Sequence, residues 1–147
     1  MSHDIAEQVA WHDRWASTML SLLRVIAGLL FLTHGTQKLF GYPAPSEFGM
    51  APLLSLMGLA GILELVGGIL LTMGLFTRTV AFVLSGMMAV AYFKVHAPMG
   101  FYPILNHGEL ALLFCFVFLL LSVSGPGKWS VDHGFRGGLK PEVFPHA

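Results

Sequence analysis

Residues Leu53–Phe76 read LLSLMGLAGILELVGGILLTMGLF, an apolar run interrupted by a single charge, Glu64. A helix needs roughly 20 mostly apolar residues to cross a bilayer, and this run is long enough. Three more runs of the same kind surround it, at about Trp15–Phe40, Thr79–Val95 and Ile104–Val123. The third is the shortest and is expected to sit with little tilt. Together the four runs predict an all-α protein, an integral membrane four-helix bundle.

The connections support that division. Gly41-Tyr42-Pro43-Ala44-Pro45-Ser46 breaks the first helix, and Pro52 suits the first turn of the second. Gly74-Leu75-Phe76-Thr77-Arg78 forms a tight turn, Ala97–Pro103 joins the third helix to the fourth, and Gly125-Pro126-Gly127 ends the fourth. The expected organisation is an N-terminal segment over 1–14, a helical domain over 15–124 and a Gly/Pro-rich tail over 125–147 lying loosely on the surface. No internal repeat or low-complexity tract is visible.

Composition agrees. Of 147 residues, 55% are hydrophobic and 11% are charged, against about 25% charged in a soluble domain. Mean hydropathy is +0.72. Lys+Arg and Asp+Glu are 8 each, so no basic footprint for nucleic acid exists. The chain is too apolar for disorder, and its single cysteine excludes a disulfide scaffold and a CxxC dithiol. The first apolar run is too long for a cleaved signal h-region and reads as a retained helix.

Lys and Arg near the helix ends set orientation. Arg14, Arg78, Lys128, Arg136 and Lys140 fall on one side, Lys38 and Lys94 on the other. Both termini are therefore expected to be cytoplasmic, with Trp11, Trp15 and Trp129 at that interface.

A charge in the bilayer costs roughly 2.5–3.5 kcal/mol on insertion scales and normally faces a partner. Arg24 lies ~10 Å into the first helix and Glu64 roughly 16 Å into the second from the same side, at 1.5 Å per residue. Depth alone predicts an Arg24–Glu64 pair, either a register-fixing ion pair or a functional one in which Glu64 carries a proton. Ala60, Gly61, Gly67 and Gly68 share the Glu64 face and admit a close helix or a flat ligand.

A second polar cluster lies toward the other face. His34 and Lys38 are one turn apart, His96 ends the third helix, and Asn106, His107 and Glu109 open the fourth. Helix starts favour Asn and Glu for capping alone. His34, His96, His107 and Glu109 have metal-ligand chemistry, but their spacing matches no metal signature, and His107 and Glu109 point to nearly opposite sides of a regular helix. No metal is therefore assigned. Cys115 sits among Phe and Leu and reads as packing.

The ordered set of motifs resembles a family. Arg24 precedes His34-Gly35-Thr36-Gln37-Lys38-Leu39. Then come Gly61-Ile62-Leu63-Glu64, Gly74-Leu75-Phe76-Thr77-Arg78, Asn106-His107-Gly108-Glu109 and Gly125-Pro126-Gly127-Lys128-Trp129-Ser130-Val131-Asp132. From about Met19 to Asp132 the chain resembles the DoxX family of small four-helix bacterial membrane proteins. The resemblance implies a multi-pass protein of the bacterial cytoplasmic (inner) membrane, with relatives tied to thiosulfate:quinone oxidoreductase, quinol oxidation or oxidative-stress complexes. It carries Arg24, His34, Lys38, Glu64, Arg78, Asn106 and Glu109 over as the family's polar positions.

Three functions fit. The first is a redox-linked membrane subunit that binds a quinone. Arg24, His34, Lys38, Asn106 and His107 would then contact the ligand, with Glu64 and Glu109 as proton carriers. This reading makes the chain part of a quinone-linked oxidoreductase and calls on a soluble redox partner or a homo-oligomer, since the sequence carries no electron centre of its own. The second is a non-enzymatic anchor or assembly subunit for a redox enzyme. The third is small-molecule or ion permeation, which would need an oligomer.

Overall fold

The computed structural model describes residues 2–45 and 49–137, with side chains from Trp15 to Phe135 outside the 46–48 gap. The element order is α1 (Ser2–Phe40), α2 (Leu56–Met73), α3 (Thr77–Ala91), α4 (Glu109–Ser124) and α5 (Val131–Gly137), with no strand among the described residues. Segments Trp15–Phe40, Leu56–Met73 and Thr77–Met99 are long and apolar enough to cross a membrane, and Glu109–Ser124 is a shorter apolar helix.

The elements begin and end where local chemistry dictates. Ser55 caps α2 by accepting from the Gly58 N–H at 3.0 Å. Pro52 therefore lies in the preceding turn, where its carbonyl accepts from Ser55 N, and not in the first turn of the helix as expected. Gly74 stops α2 at φ 71°, a left-handed conformation that glycine adopts freely. The expected start of α4 at Ile104 is also corrected. Turns through Tyr102–Gly108 replace helix there, and His107 at φ 57° breaks any helical path into Glu109. The third helix runs longer than expected, through a π-helical turn at Tyr92–His96 and a 3-10 turn at Ala97–Met99. The N-terminal segment is helical backbone continuous with α1 from Ser2. The tail is not uniformly loose, because it holds α5; 138–147 lie outside the described residues.

Helices α1 and α2 pack antiparallel at close range. A Cβ on Gly28 would meet Thr72 N at 2.9 Å and one on Gly68 would meet Leu32 N at 2.7 Å, while one on Gly35 would meet Leu65 N at 2.5 Å. Only glycine permits that approach, which maximises backbone contact where lipid supplies no hydrophobic drive between helices. Of the small stripe near Glu64, Gly61 and Gly68 thus seat α1 and Gly67 seats Leu84 of α3, while Ala60 lines a cavity. Helices α3 and α4 form the second antiparallel pair, tied by Ser85 Oγ donating to the Cys115 carbonyl at 2.8 Å. Phe31 of α1 joins the two pairs by edge contacts with Phe114 (5.3 Å) and Phe118 (4.8 Å). With Leu71, Ala81, Leu84 and Leu121 these rings make the core.

The Gly125–Asp132 segment closes one end. Asp132 caps α3, its Oδ1 accepting from Phe76 N and Oδ2 from Thr77 N, each at 2.8 Å. Those N–H groups have no partner inside the helix, and a carboxylate also complements the helix dipole. Asp132→Ala is expected to lower unfolding stability by about 1–2 kcal/mol, measured by denaturant titration of the detergent-solubilised protein. Asp132→Asn, which keeps one acceptor, should lose less.

Candidate functional site

The two intramembrane charges do different jobs. Arg24 is fully buried, yet its guanidinium holds backbone carbonyls. Nε donates to Pro126 O at 2.9 Å and Nη1 to Thr72 O at 2.8 Å, with Nη1 also reaching Leu71 O and Nη2 Trp129 O. Leu71 and Thr72 are in the last turn of α2, where carbonyls are orphaned. Arg78 treats α4 the same way, donating to the carbonyls of Ser122 (3.2 Å), Val123 and Ser124 (3.5 Å). The expected Arg24–Glu64 pair is thus corrected. Side chains on a helix tilt toward its N-terminus, so Arg24 reaches away from Glu64, toward the C-terminal end of antiparallel α2.

The same tilt brings Lys38 down to Glu64. Lys38 Nζ lies 2.5 Å from Glu64 Oε1. Glu64 is 4% exposed, and its second oxygen, Oε2, has no hydrogen-bond partner among the described residues. This pair lies on the wall of a cavity of about 770 Å³, within the usual range for small-molecule sites. Phe31, Leu63, Met87, Ala111 and Phe114 supply apolar wall, and His34, Gln37, His96 and His107 supply polar edges. The His34 ring stands edge-on to Phe114 at 6.3 Å. Segment Gly49–Leu56 covers one side, together with the Lys94–His96 turn of the π-helical stretch. Inserting an extra residue into the helical path re-aims side chains, which is why π turns recur at functional sites.

Four expected site residues therefore share one cavity: His34, Lys38, Glu64 and His107. Three do not line it. Arg24 is at the opposite end. Asn106 is buried but spends its amide on the loop, Nδ2 donating to Gly100 O at 2.7 Å and Oδ1 accepting from Gly108 N at 2.8 Å. Glu109 is exposed at the first turn of α4. His96, placed by the sequence in the second polar cluster and weighed as a metal ligand but not as a ligand contact, lines the cavity, stacked on Tyr92 with its Nδ1 2.9 Å from the Asn106 carbonyl. Among the described residues no three His, Cys, Asp or Glu side chains converge as a metal site. Gln37 and the Met50–Ser55 wall went unread, because a loop's path over a bundle leaves no periodic signal.

A helical membrane protein with a buried Lys–Glu pair on the wall of an apolar cavity is the class that fold and site define. Residues 19–97 match the DoxX family model, and the chain belongs to the DoxX family. An uncharacterized protein of Haemophilus influenzae is 42% identical over 127 residues, covering 84% of this chain and 95% of its own. An uncharacterized membrane protein of Mycobacterium tuberculosis is 34% identical over 75% of this chain and 77% of its own. CatD of Bacillus subtilis, whose name provisionally calls it an oxidoreductase, is 33% identical over 76% of this chain and 82% of its own. No solved structure matches the chain.

Proposed function

We propose that the cavity binds the ring of a quinone or a similar hydrophobic aromatic redox carrier, and that this protein is a redox-linked membrane subunit. One observation carries the reading: Glu64, whose buried carboxylate is ion-paired through Oε1 and leaves Oε2 without a partner among the described residues, belongs to the lining of a cavity that is otherwise largely apolar. A buried polar atom without a partner costs about 1–3 kcal/mol, so a ligand that partners it is favoured. The provisional name of CatD supports the same direction.

A bound quinone supplies two-electron chemistry. The residues of this chain bind and orient it. Lys38 Nζ, with donors beyond the one given to Glu64, and His34 address ring oxygens, while Phe31 and Phe114 pack on the ring face. Glu64 holds or accepts a proton at Oε2. In this reading all four apolar helices span the bacterial inner membrane. The Arg24 end and both termini face the cytoplasm, and a soluble redox partner or a second copy completes electron transfer.

Native mass spectrometry of gently solubilised protein, with bound small molecules extracted and identified, tests the reading. Stoichiometric quinone is the expected result, and Lys38→Met should lower quinone retention about tenfold, the equivalent of one lost charge-assisted hydrogen bond. Protein that carries only phospholipid and a soluble partner would overturn it in favour of the anchor role.

A further inference from the structure

Resting on the reading of the cavity as the site of a hydrophobic aromatic ligand, we infer that the seam between α2 and α3 is a lateral portal from the bilayer. The ligand then carries an alkyl or isoprenoid chain that lies in the seam while its ring sits in the cavity.

The seam follows from where the two helices touch. The turn between Met73 and Thr77 joins them at one end. A Cβ on Gly67 would stand 2.8 Å from Leu84 Cδ1, so the helices are still in direct contact about two turns further on. Past that contact the cavity lies between them. Every α2 residue on its lining precedes Gly67, and every α3 residue on its lining follows Leu84.

The lining also shows which way the gap faces. Leu56, Leu59 and Leu63 are spaced three and four apart and share one face of α2, and Met87, Val90 and Ala91 share one face of α3. Leu63, Met87 and Ala91 are half-buried, whereas Leu56, Leu59 and Val90 are 65%, 53% and 49% exposed. One apolar lining therefore runs from the cavity interior out to the surface of two segments long and apolar enough to cross a membrane. Such a surface meets lipid.

The other flanks are tied. Glycine contact holds α1 on α2, Ser85 ties α3 to α4, and Phe31 bridges α1 to α4 through Phe114 and Phe118. The loop over the helix ends is pinned as well. Ala51 N donates to Lys38 O at 2.9 Å, and a Cβ on Gly58 would meet Leu53 O at 2.7 Å. Exposing an alkyl chain to water is unfavourable roughly in proportion to its apolar area. A ligand entering through the seam keeps its chain among leucine, valine and methionine side chains and lipid throughout.

The test is photolabelling of the full chain in lipid nanodiscs by a decyl benzoquinone whose chain carries a diazirine, with and without excess plain decyl benzoquinone. Flash irradiation follows mixing at increasing delays, and peptide mass spectrometry maps the modified residues. Labelling that the competitor removes is expected on 56–63 and 87–94; labelling that it leaves is ordinary bilayer contact and is subtracted. Val90→Trp, a change at the exposed lip, is expected to slow the onset of competable labelling about tenfold. Competable labelling confined to α1, α4 or the 49–55 loop overturns the portal and leaves the aromatic-site reading in place, and so does an unchanged onset in Val90→Trp. Absence of competable labelling anywhere overturns both.

Discussion

Arg24→Met is expected to be the most damaging single change outside the cavity, lowering unfolding stability by about 4 kcal/mol. The guanidinium serves carbonyls from three places at once: the end of α2 (Leu71, Thr72), the Gly-Pro-Gly turn (Pro126) and Trp129. Methionine fills similar volume but donates nothing, so several buried acceptors lose their partner together. Each such loss costs about 1–3 kcal/mol. Arg24→Lys keeps the charge yet lacks the planar fork that reaches carbonyls on separate segments, and should recover only part of the loss. Denaturant titration in mild detergent, followed by near-UV circular dichroism, reads both variants. An unchanged midpoint in Arg24→Met would mean that this end of the bundle is held by Asp132 and core packing alone.

Gly35→Ala is expected to destabilise nearly as much, about 3 kcal/mol, by adding one methyl group. Its Cβ would stand 2.5 Å from Leu65 N, 2.8 Å from Leu65 Cα and 2.9 Å from Gly61 O. All three are backbone atoms, so no side chain can swing aside and the helices themselves must separate. Lys38 is one turn along the same helix, so its ion pair with Glu64 should be disturbed too. Loss of stability is therefore expected together with loss of ligand retention. Gly86→Ala is the internal control. No atom lies within 4 Å of a Cβ there, and removing a mid-helix glycine should stabilise by up to about 1 kcal/mol. Equal effects at the two positions would show that helix propensity, and not helix approach, governs both.

The site was legible in part for a definite reason. Charge in an apolar run marks a residue that needs a partner, and this singled out Arg24, Lys38 and Glu64. It does not say which partner. Depth alone paired Arg24 with Glu64, because depth ignores the direction in which helical side chains lean. A signal for the true pairing was present: Gly28 and Gly35 on α1 repeat the spacing of Gly61 and Gly68 on α2. Set antiparallel, the two glycine pairs fix a register in which Lys38 leans toward Glu64 and Arg24 toward the end of α2. The Gly125–Asp132 motif was read as a helix end. Its Pro126 and Trp129 carbonyls in fact hold Arg24 of α1, its Asp132 N–H donates to Gly74 O at the end of α2, and the Asp132 carboxylate caps α3, which only contacts far apart in sequence could reveal.

What the sequence determined by itself is the helical membrane class, the approximate helix limits and which charged residues in apolar runs need partners. Those follow from hydropathy, from Gly and Pro punctuation and from the cost of charge in an apolar medium, all local properties of the chain. The tertiary structure alone decided the partners. Backbone contact at glycine sets the α1–α2 register, and that register turns Arg24 into a clasp on helix ends. It also brings Lys38, Glu64, His34, His96 and His107 around one cavity. Hydrogen bonds act over about 3 Å, so which donor meets which acceptor is settled by packing and not by spacing along the chain.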